Sequence, residues 1–216
     1  MVFELENVAL GARRIRYEVL AGIFGEQNIG FDEIQFSRYC LGKPEDYLPA
    51  LLNTVGYTAA PASVVAERLR GETLSRMMQK DCLMDAGLKA WLDEAAKLGI
   101  PVAAVTCLAQ EAANGIAKRL GFDSWGIHVL SSGHDEKGYW SAAGWGRAAQ
   151  ALGRHPGQCV AIVTGAKWAL AAMSAGFKGI AVPDTFTAYE NFAGMDYVVD
   201  SLKDLKPDAT FKKLNI

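Results

Sequence analysis

At 216 residues and 50% hydrophobic composition, the chain is long enough for one or two compact domains with a sizeable core. Lys and Arg number 22 against 24 Asp and Glu, so the net charge of −2 marks no nucleic-acid surface, and no RNP-like motif is present. No apolar run approaches the roughly 18 residues of a membrane helix, and the four cysteines (Cys40, Cys82, Cys107, Cys159) are too scattered for a disulfide framework or a zinc site.

The chain opens MVFELENVAL, an apolar strand-like run interrupted by Glu4 and Glu6. Acids stand here where a signal peptide carries bases, and no apolar h-region follows, so a cytoplasmic location is expected. Residues 11–84 read as helical: RRIRYEVLAGIFGEQ, FDEIQFSRYCLG, PEDYLPALLNTVG and ASVVAERLRGETLSRMMQ, with Gly and Pro between them. From about residue 85 helices and strands alternate. AGLKAWLDEAAKLG (86–99) has helical period and a Gly stop, IPVAAVT (100–106) is an apolar strand, and AQEAANGIAKRLG (109–121) is helical again. WGIHVL (125–130) reads as a strand and WGRAAQALG (145–153) as the end of a helix. CVAIVT (159–164), AKWALAAMSAG (166–176), KGIAVP (178–183) and DYVVD (196–200) continue as strand, helix, strand, strand. Strands that are apolar throughout and alternate with helices predict a parallel sheet covered on both faces. Ligands bind such sheets beyond the carboxyl ends of the strands, so the residues just after each strand are the informative ones.

FELENVAL, GIPVAAVTCL and CVAIVTGAKWALAAMSAGFKGIAVP together resemble the motif strands of the haloacid dehalogenase superfamily, in the helical-cap branch of β-phosphoglucomutases and small phosphatases. The resemblance spans nearly the whole chain. It implies a Rossmannoid α/β core from 1–10 and 85–216, with a helical cap domain from 11–84 inserted after the first strand. The cap is expected to form its own lobe over the strand ends.

The family's first motif ends in D-x-D-G, and here Glu4, Glu6 and Asn7 stand at the Asp, Asp and Gly positions. The resemblance makes the first acid the nucleophile and the second the general acid/base. It makes Thr106 and Lys137 the residues that hold a phosphoryl group. The fourth-motif acids, which complete a Mg²⁺ site, are replaced by Val163 and Thr164, and a family Gly by Trp168. Phosphoryl transfer rests on positioning and charge neutralisation. Asp to Glu moves a carboxylate by about 1 Å, a misplacement that can cost roughly 100-fold. Val163 cannot ligate an ion, and Thr164 offers only a neutral hydroxyl. A Gly-to-Asn change also predicts strain if the turn needs positive φ.

The expectation is a degenerate site that lacks Mg²⁺-dependent phosphatase or mutase activity, needs no cofactor and acts as a binding or regulatory module. Its ligand would be a small anionic or phosphorylated molecule, with no nucleic-acid or membrane partner. The alternative is an active hydrolase, phosphatase or phosphoglucomutase-like, that uses Mg²⁺ with Glu4 as nucleophile; a metal-free haloacid dehalogenase is a third reading. Two carboxylates without a metal need an offsetting cation. Lys137 is the first candidate, and Lys167, near the start of a helix, is a possible charge partner.

Other chemistry-bearing residues have plainer readings. Thr106 can serve as a helix N-cap as well as a phosphate ligand. His128 reads as a packed or edge histidine, and His155-Pro156 marks a turn. His134-Asp135-Glu136 reads as a solvated loop, because three consecutive residues do not converge easily on one ion. Trp140, Trp145 and Trp168 read as packing, with Trp140 able to face the cleft.

Overall fold

A computed structural model describes residues 1–132 and 140–216. The described chain divides into two compact units, 11–82 and 1–10 with 83–216.

The first unit is built from helices α1 (Ala12–Gly25), α2 (Glu33–Tyr39), α3 (Pro44–Val55) and α4 (Ala62–Met77). Their ends follow from local chemistry. Asp32 and Gln35 form a reciprocal capping box on α2, and Pro44 opens α3, where a missing N–H costs nothing. Gly56 closes α3 in the left-handed region, with φ of 72°. Tyr17 meets Phe36, and Phe24 meets Phe31, edge to face, the latter with centroids 5.0 Å apart, and Tyr57 packs tilted on Phe24 at 5.5 Å.

The second unit is a six-stranded sheet. Strand β1 (Val2–Glu4) lies at its centre, followed in chain order by β2 (Ala103–Thr106), β3 (His128–Ser131), β4 (Val160–Val163), β5 (Lys178–Ala181) and β6 (Tyr197–Val198). The order is β3-β2-β1-β4-β5-β6, and every pairing is parallel. Helices α5 (Ala86–Lys97), α6 (Gln110–Leu120), α7 (Ala142–Ala151), α8 (Ala166–Ser174) and α9 (Pro207–Leu214) complete the unit. Alternation sorts the strand residues by face. Val2, Ala103, Val105, Ala161, Val163 and Ala181 share a core with Trp145, Ala148, Ala149, Trp168 and Ala172 of α7 and α8. Phe3 points the other way and meets Phe122 edge to face at 5.9 Å. No helix of the described chain is long and apolar enough to cross a membrane.

Several boundaries differ from the sequence expectation. The strand expected over 125–130 begins at His128, because Phe122–Trp125 forms a 3₁₀ turn and Gly126 reverses the chain at φ 62°. The strand expected over 100–106 begins at Ala103, and the last expected strand is only Tyr197–Val198. His128 stands exposed on the edge strand β3.

Cys40 and Cys159 are buried. Burial pushes the Cys40 thiol up to about 12 and also raises that of Cys159, so neither presents a thiolate at neutral pH. Alkylation by iodoacetamide, followed by mass spectrometry, is expected to reach both only after unfolding. Labelling of native Cys40 at the rate of a free thiol would contradict its placement.

Candidate functional site

Three residues meet at the carboxyl ends of the three central strands: Glu4 on β1, Thr106 on β2 and Thr164 just past β4. All three are buried, and Glu4 and Thr106 have no exposed surface. A single π-helical turn, Leu5–Ala9, follows β1 directly. Such turns are rare and bend the chain sharply. In a straight strand positions 4 and 6 would share one face; here the turn sends the two carboxylates to different partners.

Glu4 reaches toward β4. Its Oε1 accepts the backbone N–H of Thr164 at 2.7 Å, and its Oε2 accepts the Thr164 hydroxyl at 2.9 Å. The Asn7 side-chain amide, one turn on, donates to the same Oε2 at 3.1 Å. That donor requirement fixes the Asn7 amide orientation and leaves its Oδ1 buried without a hydrogen-bond partner among the described residues. Glu6 reaches toward β2, where its Oε1 accepts the Thr106 hydroxyl at 2.6 Å. The Thr106 oxygen in turn accepts the N–H of Leu108 at 2.9 Å, two residues before α6 begins.

The loop after β5 grips the other side of Thr164. Thr187 donates its hydroxyl to the Thr164 carbonyl at 2.7 Å, and Glu190 accepts the N–H of Ala166, at the start of α8, at 2.7 Å. On the β2 side, Trp140 donates its indole N–H to the Thr106 carbonyl at 2.8 Å.

The sequence-predicted residues are therefore distributed as follows. Glu4 pairs with Thr164 and Glu6 pairs with Thr106. Val163 is buried in the core beneath them. Trp168 does not crowd the strand ends: it turns into the core and meets Trp145 edge to face at 6.2 Å. Asn7 has no positive φ, so the strain expected there is absent. Lys167 is exposed at the second position of α8, and its side chain makes no hydrogen bond or ion pair among the described residues. Lys137 and the His134-Asp135-Glu136 run lie outside the described residues. Among the described residues no group of three or more His, Cys, Asp or Glu side chains could hold a metal ion.

Sequence reasoning missed Thr187 and Glu190. Asp184 gave a partial signal, since its Oδ1 accepts the Phe186 N–H in an Asx-type turn. A turn is legible from such a pattern; the neighbour its hydroxyl reaches, 23 residues back, is not.

Solved structures share this architecture over almost the whole chain. A haloacid dehalogenase family hydrolase from Deinococcus radiodurans R1, with bound phosphate and sodium, superposes with a TM-score of 0.79 at 19% identity, covering 99% of this chain and 95% of its own. CbbY from Rhodobacter sphaeroides, in complex with phosphate, gives 0.76 at 16% identity, with 98% and 97% covered. The chain has the haloacid dehalogenase fold. A β-phosphoglucomutase from Clostridium difficile, at TM-score 0.71 and 18% identity over 99% and 96% of the two chains, carries the same fold. No protein-family model matches the sequence, and no curated protein matches it. In this fold Glu4, Thr106 and Thr164 stand at the carboxyl ends of parallel strands.

Proposed function

We propose that this haloacid dehalogenase-fold protein lacks magnesium-dependent phosphatase or mutase activity and acts as a binding or regulatory module for a small anionic or phosphorylated ligand. The observation that carries this reading is the state of Glu4. A carboxylate nucleophile must present an oxygen to the reacting phosphorus within about 3–3.5 Å and in line. Glu4 has no exposed surface, and both its oxygens are engaged, by Thr164 and Asn7.

The residues present do not fit Mg²⁺. That ion takes oxygen lone pairs in near-octahedral array at about 2.0–2.1 Å. Thr164 instead turns an N–H and an O–H toward Glu4, the positive ends of two dipoles. Val163 supplies no donor atom and lies in the core. Glu6 is turned to Thr106 on the opposite side of β1. The ligand class draws support from the neighbours: one CbbY structure holds xylulose-1,5-bisphosphate and another holds phosphate.

The test is phosphate release from small phosphate esters at neutral pH with magnesium present. The expected wild-type rate is indistinguishable from the enzyme-free control. The combined Glu4→Asp, Glu6→Asp and Thr164→Asp variant is expected to rise measurably above it. Robust wild-type turnover that Glu4→Gln abolishes would overturn the reading in favour of a hydrolase with Glu4 as nucleophile.

A further inference from the structure

We infer that Glu4 and Thr164 form a latch that ties the end of β1 to the end of β4 in place of a metal ion, with Thr187 as its positioning residue. The inference deepens the function proposed above and rests on that reading of the strand ends.

The need for the latch arises in the backbone. The β1–β4 ladder ends at the pair Phe3–Ile162, because the π turn at Leu5 carries the chain away while β4 continues to Val163. The buried N–H of Thr164 lies beyond that last ladder pair, and it is a side-chain carboxylate of β1 that accepts it. A buried amide without an acceptor is costly, and so is a buried carboxylate without donors. The Glu4 side chain meets both needs at once: its Oε1 accepts the Thr164 N–H and its Oε2 accepts the adjacent hydroxyl. An Asp at position 4 would fall short by about 1 Å, one methylene's reach, so the longer acid suits a direct bond between the strands.

The far side of the Thr164 peptide is held as well. Thr187 is itself buried and donates to the Thr164 carbonyl. Its oxygen accepts the Asp184 N–H at 3.1 Å, and Asp184 Oδ1 holds the Phe186 N–H at 2.9 Å, with the Phe186 ring buried. Glu190 fixes the next turn at Ala166. With the Thr164 carbonyl and the Ala166 amide both pinned, the Thr164 N–H keeps its aim at Glu4. The ends of β1 and β4 are thus joined by direct bonds between Glu4 and Thr164.

Thermal unfolding of the full chain tests the latch through stability, which phosphate release does not report. The wild-type midpoint is expected to be the same in EDTA and in millimolar MgCl₂. Thr164→Val, which keeps the shape and removes the hydroxyl, should lower the midpoint by roughly 3–10 °C. Glu4→Leu should lower it further. The Glu4→Leu/Thr164→Val and Glu4→Leu/Thr187→Val pairs should each lose less than the sum of their single changes, a coupling that two independent packing losses would not give. Additive losses in both pairs, an unaltered midpoint in Thr164→Val, or a magnesium-dependent rise in the wild type would overturn the latch. If Glu4→Leu does not fold, Thr164→Val and the magnesium comparison still decide. Absent turnover combined with additive losses would remove the latch and leave the proposed function standing; turnover combined with coupling would do the reverse.

Discussion

Thr164→Asp is expected to make the protein's stability depend on a divalent cation. Position 164 is buried, and its hydroxyl oxygen lies 2.9 Å from Glu4 Oε2. An Asp there exchanges a hydrogen-bond donor for a second carboxylate facing the first. Two like charges about 4 Å apart at an effective dielectric near 20 repel by about 4 kcal/mol. For a chain of this size that corresponds to a loss of roughly 8–16 °C in the unfolding midpoint. A Mg²⁺ ion between the two carboxylates would satisfy both, and at 100 times its Kd it would restore about 2.7 kcal/mol. Melts in EDTA and in MgCl₂, followed by circular dichroism, measure both effects. Thr164→Asn is the control: it is similar in shape, carries no charge, and should lose less and ignore magnesium. A Thr164→Asp protein as stable as the wild type in EDTA would mean that the two side chains do not converge.

Much of the arrangement was legible in the sequence, for reasons that are local. Gly stops after helical periods and wholly apolar strands such as VAIV identify the parallel layout, because a strand buried on both faces has no polar side to show. Glu4, Glu6 and Thr106 could be placed at strand ends because acids and hydroxyls terminate apolar runs. The role of Thr164 was not legible. Its letter reads as a lost metal ligand, whereas its position makes it a double donor to Glu4. That difference depends on the register of β4 against β1 and on a π turn, neither of which has a local sequence signature. Trp168 reads as packing from the sequence, and it lies in the core. The rotation of α8 decides whether the ring meets the strand ends or the core, and the core gains more from a large apolar ring.

Trp140→Ala is expected to cost more than any other single change on the β2 side of the site. The indole is buried in the core that contains Val105, Trp145 and Trp168, and its N–H donates to the Thr106 carbonyl. It also packs against Gly144 of α7: a Cβ there would come within 2.8 Å of the ring carbon Cε3. Removing a buried Trp typically costs about 3–5 kcal/mol, or roughly 6–20 °C in the midpoint here. Trp140→Phe separates packing from hydrogen bonding. The Thr106 carbonyl keeps the Ser132 N–H at 3.0 Å, so the lost indole bond should cost only about 1 kcal/mol. Gly144→Ala should destabilise the wild type by about 1–3 kcal/mol, because the ring has to yield to the added methyl. In the Trp140→Ala background the same methyl enters vacated space, so its cost should shrink or change sign. Urea titrations at unchanged m-value would give the four free energies. If Trp140→Ala proved no worse than Trp140→Phe, the ring would not be the packed wall of the β2 strand end, and Thr106 would owe its position to the sheet alone.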